Sequence, residues 1–473
     1  MRCPANDLQS QKVSMVNRLL IRSTLASAVW LLTASLLGCA SQTEFVAPTV
    51  QVPEGWKQGA ASAAATDEAQ ATPWWQDLND PVLNQLIETA QARNLNLAQA
   101  AIKVRRAQLV SGQASSDQLP SLSVKGSSTA SRPLDGGSST RLHSVSGGVS
   151  WEVDLWGRLA AAKNAAQWEA QATEQDRQAA ALSLSATVAN LYWQIAYLNQ
   201  RVDASQQSMD YAARTLKLVQ AQYSAGDVSG LEVAQATQTL AAQQASHTQW
   251  LQQRVQARNA LAILLDATPD VAASESPRLS EAALPKVQAG LPASLLTRRP
   301  DLRAAQLRLR KSLASVDVTR NSYYPSLTLT GSVGGSSNEL RQVLSDPIAT
   351  LGAGLVLPFV QWRDMQRSVA ISQADYEVAV LDYRQTWYQA LADVENALSA
   401  GQQFDEQGQR LQQAYAAAKE AERLSEVRYR AGAVPLKTWL DAQESRRQAE
   451  NNLAQNRLNQ LNAWATLRQT LGG

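Results

Sequence analysis

The chain is written twice, and this limits what it can fold into more than any other feature. The segment Gln118-Leu119-Pro120-Ser121-Leu122-Ser123-Val124-Lys125-Gly126 returns as Tyr323-Tyr324-Pro325-Ser326-Leu327-Thr328-Leu329-Thr330-Gly331, and Pro325 lies 205 residues after Pro120. Tyr223-Ser224-Ala225-Gly226 returns as Tyr429-Arg430-Ala431-Gly432, 206 residues on, and Trp156-Gly157-Arg158 is echoed by Trp362-Arg363. Solenoid repeats recur every ~20–50 residues. The longer period here marks a duplicated half-molecule, with an internal duplication offset of about 205 residues.

Each half is mostly helical. Asp80-Pro81, an acidic cap followed by proline, predicts a helix start, and that helix is expected to run to about Ser116. No glycine or proline occurs from Arg158 to Tyr223. Within that stretch Leu191, Ile195, Leu198, Val202, Ser205, Met209, Ala212, Leu216, Val219 and Tyr223 follow a sustained seven-residue repeat, the pattern of a left-handed coiled coil. An ordinary amphipathic core helix is the plainer alternative. A helix of roughly 65 residues is ~100 Å long, beyond any compact domain. Gly226 breaks it, and a return helix is expected over about 230–265. The second half repeats the plan: a helix over about 293–321, a strand pair, a long helix over about 364–429, a break at Gly432 and Pro435, and a return helix over about 436–470. Its heptads are weaker, with Gly401, Gly408, Glu422 and Ser425 at seam positions.

Between the helices the period changes to two. From Ser144 to Leu155 the odd positions are Val145, Gly147, Val149, Trp151, Val153 and Leu155, and the even ones are polar or glycine. Ser326 to Val333 and Leu351 to Phe359 alternate likewise; the Leu122/Val124 strand is the weakest. Such lengths suit tilted membrane strands of ~9–11 residues, apolar side out. Periodicity by itself does not separate them from two soluble hairpins. The intervening loops, about 131–142 and 334–349, are expected to be exposed. One chain offers four strands, whereas membrane barrels have at least about eight and a small barrel is filled by its own side chains. A water-filled duct would need three chains and twelve strands.

The N-terminus reads as an export signal. Arg18 and Arg22 precede an apolar run from Leu25 to Leu37, too short to span a bilayer at ~20 residues. The run ends in Leu36-Leu37-Gly38-Cys39, like a lipoprotein cleavage box, so 1–38 is expected to be a signal peptide and Cys39 the lipidation site, carrying N-palmitoyl and S-diacylglycerol groups. Met15 is an alternative start. Ala40 in place of aspartate favours the outer membrane by the general pattern of such lipoproteins. Residues 40–72 are rich in Pro, Ala, Ser and Thr and read as a tether, giving an acylated segment over 39–72. The two repeats are then 73–270 and 271–473.

Composition excludes several functions. With 43 basic and 41 acidic residues there is no nucleic-acid footprint. Two histidines, two cysteines and four methionines leave little for metal or thiol chemistry. No Gly-x-Ser-x-Gly elbow, P-loop or Cys/His cluster occurs, and His143 and His247 are isolated, so neither an enzyme nor a cofactor is expected.

Residues 73–87, Pro73-Trp74-Trp75-Gln76-Asp77-Leu78-Asn79-Asp80-Pro81-Val82-Leu83-Asn84-Gln85-Leu86-Ile87, resemble the opening signature of outer-membrane efflux proteins, the TolC-like exit ducts, in their lipoprotein (OprM/NodT-type) branch. Asn94-Leu95-Asn96-Leu97, Trp151 to Arg158, Arg298-Arg299-Pro300-Asp301-Leu302 and Leu440-Asp441-Ala442-Gln443 match as well. The resemblance covers the mature chain. It implies a homotrimer in the outer membrane of a Gram-negative bacterium, with a twelve-stranded β-barrel continuous with a periplasmic helical barrel. It further implies docking to a periplasmic adaptor (membrane fusion) protein and an inner-membrane pump, most often of the resistance-nodulation-division type. The exit after the fourth strand, Pro358-Phe359-Val360-Gln361-Trp362-Arg363, lacks the Gly-Gly frequent in the family.

By the same resemblance the adaptor-docking tips are Gly226-Asp227-Val228-Ser229 and Gly432-Ala433-Val434-Pro435, with Arg428 and Arg430 beside the second. A plain helix–helix turn with left-handed glycine explains the same residues. Asp441 falls where relatives carry a ring of gating aspartates. Thr438 and Val434 replace an acid and an arginine of some relatives. Lys437 lies one turn before Asp441 and shares its face, so a Lys437–Asp441 pair is the expected periplasmic gate; a solvated surface pair is the bland reading. The expected function is a passive exit duct for drugs or toxic small molecules. A duct for type I protein secretion and a non-channel coiled-coil scaffold lipoprotein are the alternatives.

Overall fold

The computed structural model describes residues 42–57, 73–271 and 273–473. The expected signal peptide, Cys39 and most of the expected tether lie outside these. In chain order the main elements are α1 (Pro81–Arg93), α2 (Leu95–Ser116), β1 (Ser121–Ser131), β2 (Thr140–Val153), α3 (Arg158–Ala225), α4 (Gly230–Leu264), α5 (Pro300–Asn321), β3 (Ser326–Ser337), β4 (Ile348–Val356), α6 (Trp362–Arg430) and α7 (Leu436–Thr470). The helices α3 and α6 have 68 and 69 residues, and the return helices α4 and α7 have 35 each. The expected repeat of helix, hairpin, long helix and return helix is present twice.

Two expected helices are broken. The one starting at Asp80 stops at Arg93 and restarts at Leu95. Asn94 side-chain Oδ1 accepts from the Leu97 N–H at 3.1 Å and so caps the second helix. The expected 293–321 helix is a single turn, Leu295–Arg298, followed by α5 from Pro300. Proline at the first position of α5 has no N–H to lose and cannot continue the preceding turn.

The chain divides into two compact units. Of the described residues, the first comprises 42–48, 106–170 and 307–381. Its centre is one antiparallel sheet of order β1-β2-β3-β4. Here β2 pairs with β3, so the two halves of the sequence meet edge to edge: Trp151 faces Leu329 and Val153 faces Leu327. The strands overrun the expected ends. Gly334 and Gly335, at the start of the expected 334–349 loop with its Gly, Ser, Pro and charged residues, pair with Ser146 and Val145. Cross-strand pairing overrides local propensity. In the first exit from the sheet, Asp154 accepts from the Leu159 and Ala160 N–H groups at 3.1 and 2.8 Å, Glu152 holds Arg158 through both oxygens at 2.8 Å, and Gly157 has φ 73°. This explains the Trp151–Arg158 motif as a strand-to-helix joint. The second exit has no such acid and uses a 3-10 turn, Pro358–Val360, before α6.

Of the described residues, the second unit comprises 49–57, 73–105, 171–271, 273–306 and 382–473. Its largest core joins Trp74, Leu83, Ile87, Val188, Trp193, Ile195, Leu198, Leu261, Leu461 and Trp464, all buried. Of the predicted heptad seam, Ile195, Leu198, Val202, Ser205, Ala212 and Val219 are buried and Tyr223 is exposed. The Gly401, Gly408, Glu422 and Ser425 positions are half-buried, consistent with the weaker repeat.

Candidate functional site

Two places carry the functional geometry, and the sheet is the first. Register places Leu122, Val149, Gly331 and Leu351 in one cross-strand row, and Val124, Gly147, Val333 and Ala349 in the next. A Cβ on Gly331 would meet Val149 Cγ1 at 3.1 Å and Leu351 Cδ2 at 3.4 Å, so glycine there lets its neighbours fill the row. This face is apolar yet open: Leu122 is 85 % exposed, Val124 84 % and Leu351 90 %. Such a face needs a partner of its own polarity. The opposite face carries Ser121, Ser123, Ser144, Ser146, Ser150, Thr328, Thr330, Ser332 and Thr350. Among the described residues, strands β1 and β4 leave their outer edges unpaired. Among the described residues no helix is long and apolar enough to cross a membrane.

The second place is the pair of predicted tip turns. Gly226 (φ 85°) and Gly432 (φ 71°) both adopt the left-handed conformation. Gly226 N–H donates to the Tyr223 carbonyl and Asp227 N–H to the Gln222 carbonyl; Gly432 and Ala433 do the same to Tyr429 and Arg428. These are paired Schellman closures, which satisfy otherwise orphaned carbonyls at a helix C-terminus. The turns then diverge. Ser229 and Glu232 form a capping box at the start of α4, whereas Pro435 opens α7 without a side-chain cap.

One small core joins the turns. Val219 and Ala236 of the first pack with Leu436 and Trp439 of the second, and Val228, Val233, Tyr429 and Leu440 close around them. Trp439 stacks on Tyr429 with centroids 5.2 Å apart and meets Tyr211 edge-on at 6.0 Å. The Tyr429 hydroxyl donates to Gln222 Oε1 at 2.9 Å. Burial pushes the Tyr429 hydroxyl pKa up, which keeps it a neutral donor. The sequence reading missed Trp439 and Tyr211. The i, i+3 spacing of Leu436 and Trp439 was the available signal.

The expected gate residues do pair: Lys437 Nζ lies 2.9 Å from both Asp441 oxygens within one chain. Their side chains are 65 % and 63 % exposed, facing away from the Trp439 core. Of the docking residues, Gly226, Asp227, Ser229, Gly432, Ala433 and Pro435 are exposed and Val228 and Val434 half-buried. Arg430 is exposed and pairs with Glu426 at 2.5 Å.

A sheet with an open apolar face and a polar back, in a chain that also folds paired heptad helices, has the make-up of a membrane-strand channel protein. The outer membrane efflux protein family model matches residues 86–266 and 291–473, and the chain belongs to that family. It is an outer-membrane efflux channel and not an enzyme. The pyoverdine export outer membrane protein OpmQ of Pseudomonas putida is 34 % identical over 458 residues, covering 93 % of this chain and 96 % of the relative. The antibiotic efflux pump outer membrane protein ArpC of Pseudomonas putida is 30 % identical over 476 residues, covering 96 % of each. Among solved structures, the open state of the Neisseria gonorrhoeae MtrE outer membrane channel superposes with TM-score 0.78 at 28 % identity, covering 92 % of this chain and 98 % of that one. The Campylobacter jejuni CmeC outer membrane channel reaches 0.84 at 21 % identity, covering 92 % and 95 %, a likeness of fold alone.

Proposed function

We propose that three copies of this chain close into a twelve-stranded barrel and form the exit duct of a tripartite efflux pump, passing drugs or toxic small molecules outward. The observation that carries this reading is the four-stranded sheet, with unpaired edges and an exposed apolar face. Open edges invite pairing with another copy, and closure removes them. The names of the relatives, pyoverdine export and antibiotic efflux, support small-molecule cargo. A relative from Aggregatibacter actinomycetemcomitans, 30 % identical over 402 residues, is named toxin and drug export protein A, and a duct for type I protein secretion is the second reading.

In this reading Cys39 is acylated with N-palmitoyl and S-diacylglycerol groups and anchors the N-terminus in the outer membrane. The partners are a periplasmic adaptor, met at the Gly226–Ser229 and Gly432–Pro435 turns, and an inner-membrane pump of the resistance-nodulation-division type. The Lys437–Asp441 pairs hold the periplasmic end closed. Exposed pairs contribute only ~0–1 kcal/mol each, a barrier that adaptor binding can overcome.

The test compares crosslinked, heat-modifiable SDS-PAGE of outer-membrane fractions from wild type and Cys39→Ala. A heat-labile trimer retained in the membrane without acylation supports the duct. A monomer released to the periplasm by Cys39→Ala would return the chain to the scaffold reading. For the gate, Asp441→Ala with Lys437→Ala should raise single-channel conductance; unchanged conductance removes the gate role.

A further inference from the structure

The polar face of the sheet carries few charges. Lys125 on β1 and Glu152 on β2 are its charged members, by the register that sets Lys125 opposite Ser146 and Glu152 opposite Thr328. They are not equivalent. Both oxygens of Glu152 are held by Arg158 at 2.8 Å, so that pair is neutral. Lys125 has no carboxylate partner among the described residues, and no acid stands beside it. Its row is Ser146, Gly334 and Ile348, and its neighbours along β1 are Ser123 and Ser127. The side chains next to it, Ser123, Ser127 and Ser146, are too short to cover the ammonium. The segments joining the strands carry Arg132 and Asp135 in the first hairpin and Glu339, Arg341 and Asp346 in the second, and Arg141 at the start of β2 brings cations and acids level there.

From this we infer that Lys125 sets the charge preference of the barrel, making it pass anions ahead of cations of the same size. The inference rests on the trimeric barrel proposed above. There the apolar face meets lipid and the polar face lines the lumen, so three Lys125 side chains form a cationic ring. Charge rings of this kind select by sign. The cargo class it favours is solutes bearing a carboxylate or another anionic group. The field reaches ~10 Å at 0.1 M salt and ~3 Å at 1 M, so the preference weakens as salt rises.

The purified full-length protein, inserted in planar lipid bilayers under asymmetric KCl, gives the test. Wild type should show a reversal potential on the anion side at ~0.1 M that shrinks toward zero at ~1 M. Lys125→Gln should lose the preference, Lys125→Glu should invert it, and Lys125→Arg should keep it. Lys125→Cys guards against misassembly, because a cationic methanethiosulfonate reagent should restore anion preference in channels already inserted, and an anionic one should invert it. The unsubstituted protein should be indifferent to both reagents. Identical reversal potentials across these variants, or a Lys125→Cys channel blind to reagent charge, overturns the inference while leaving the duct intact. Failure of the wild-type protein to conduct at all defeats the barrel reading, and this inference with it.

Discussion

Asn94 and Arg299 stand 205 residues apart and close the same joint in the two repeats. Asn94 Nδ2 donates to the Leu264 carbonyl at 3.1 Å, where α4 ends; Arg299 donates to the Thr470 carbonyl at 3.2 Å, where α7 ends. Each bond satisfies a carbonyl that the helix itself leaves orphaned. Each residue also sits at the break before α2 or α5. A return helix is thereby spliced end-on to the helix that leads to the strands.

The two splices differ in strength, and substitution should show it. Arg299 also binds Asp301 at 3.0 and 2.7 Å, Asp393 at 3.4 Å and the Ala390 carbonyl at 3.3 Å. Burial lowers its pKa, but Asp301 and Asp393 outweigh burial and hold it above the ordinary guanidinium value. Arg299→Ala should cost about 3 kcal/mol, the lower end for a broken buried pair. Asn94→Ala should cost ~1–3 kcal/mol, the penalty of one unsatisfied buried group. Hydrogen exchange in the last turn of α7 should accelerate only for Arg299→Ala, and in the last turn of α4 only for Asn94→Ala.

The tip glycines test whether the repeats are equivalent in energy as well as in shape. A Cβ on Gly226 or Gly432 would meet nothing within 4 Å, so alanine meets no steric obstacle at either. The only penalty is the left-handed conformation, about 1 kcal/mol. Gly226→Ala and Gly432→Ala should therefore lower stability equally, read as matching shifts in a denaturant midpoint. Unequal shifts would mean that the missing cap at Pro435 lets the second turn relax.

The long helices, their turns and the alternating strands were legible because each rests on local chemistry: seven-residue spacing, left-handed glycine, period-two polarity. Gly226 and Gly432 are positions where backbone geometry dictates the residue. The break at Asn94 was not legible. Helix formers flank it, and the partner that stabilises the break, the Leu264 carbonyl, is 170 residues away. Strand ends at Gly334 and Gly335 failed for the same reason, since pairing with β2 decides them. The Tyr429–Trp439 stack spans a helix turn and belongs to no single period. The Lys437–Asp441 pair, by contrast, is an i, i+4 contact that spacing alone supplies.

That aromatic stack should carry more of the stability of the paired turns than the ion pair beside it. Trp439 is 3 % exposed and central to the small core. Trp439→Ala should cost ~3–5 kcal/mol locally and speed hydrogen exchange in both turns together. Tyr429→Phe keeps the stack and loses one bond to Gln222, about 1 kcal/mol. Asp441→Ala should leave thermal stability within ~1 kcal/mol. If Asp441→Ala unfolded the turns as Trp439→Ala does, the ion pair would be structural.

Glu275 makes one region acid-sensitive. It receives Arg258 through two bonds of 2.6 Å and Asn199 Nδ2 at 3.1 Å, pinning the segment after α4. Burial pushes its carboxyl up, but Arg258 and Asn199 together outweigh burial and hold the pKa below the ordinary value. A depressed folded pKa means stability that is present above the unfolded pKa of ~4.3 and lost as pH falls through the folded value. Wild type should therefore lose more stability than Glu275→Gln between neutral pH and acid, with the two converging at the acid end. Parallel pH profiles for the two proteins would show that the carboxylate contributes nothing to holding this segment.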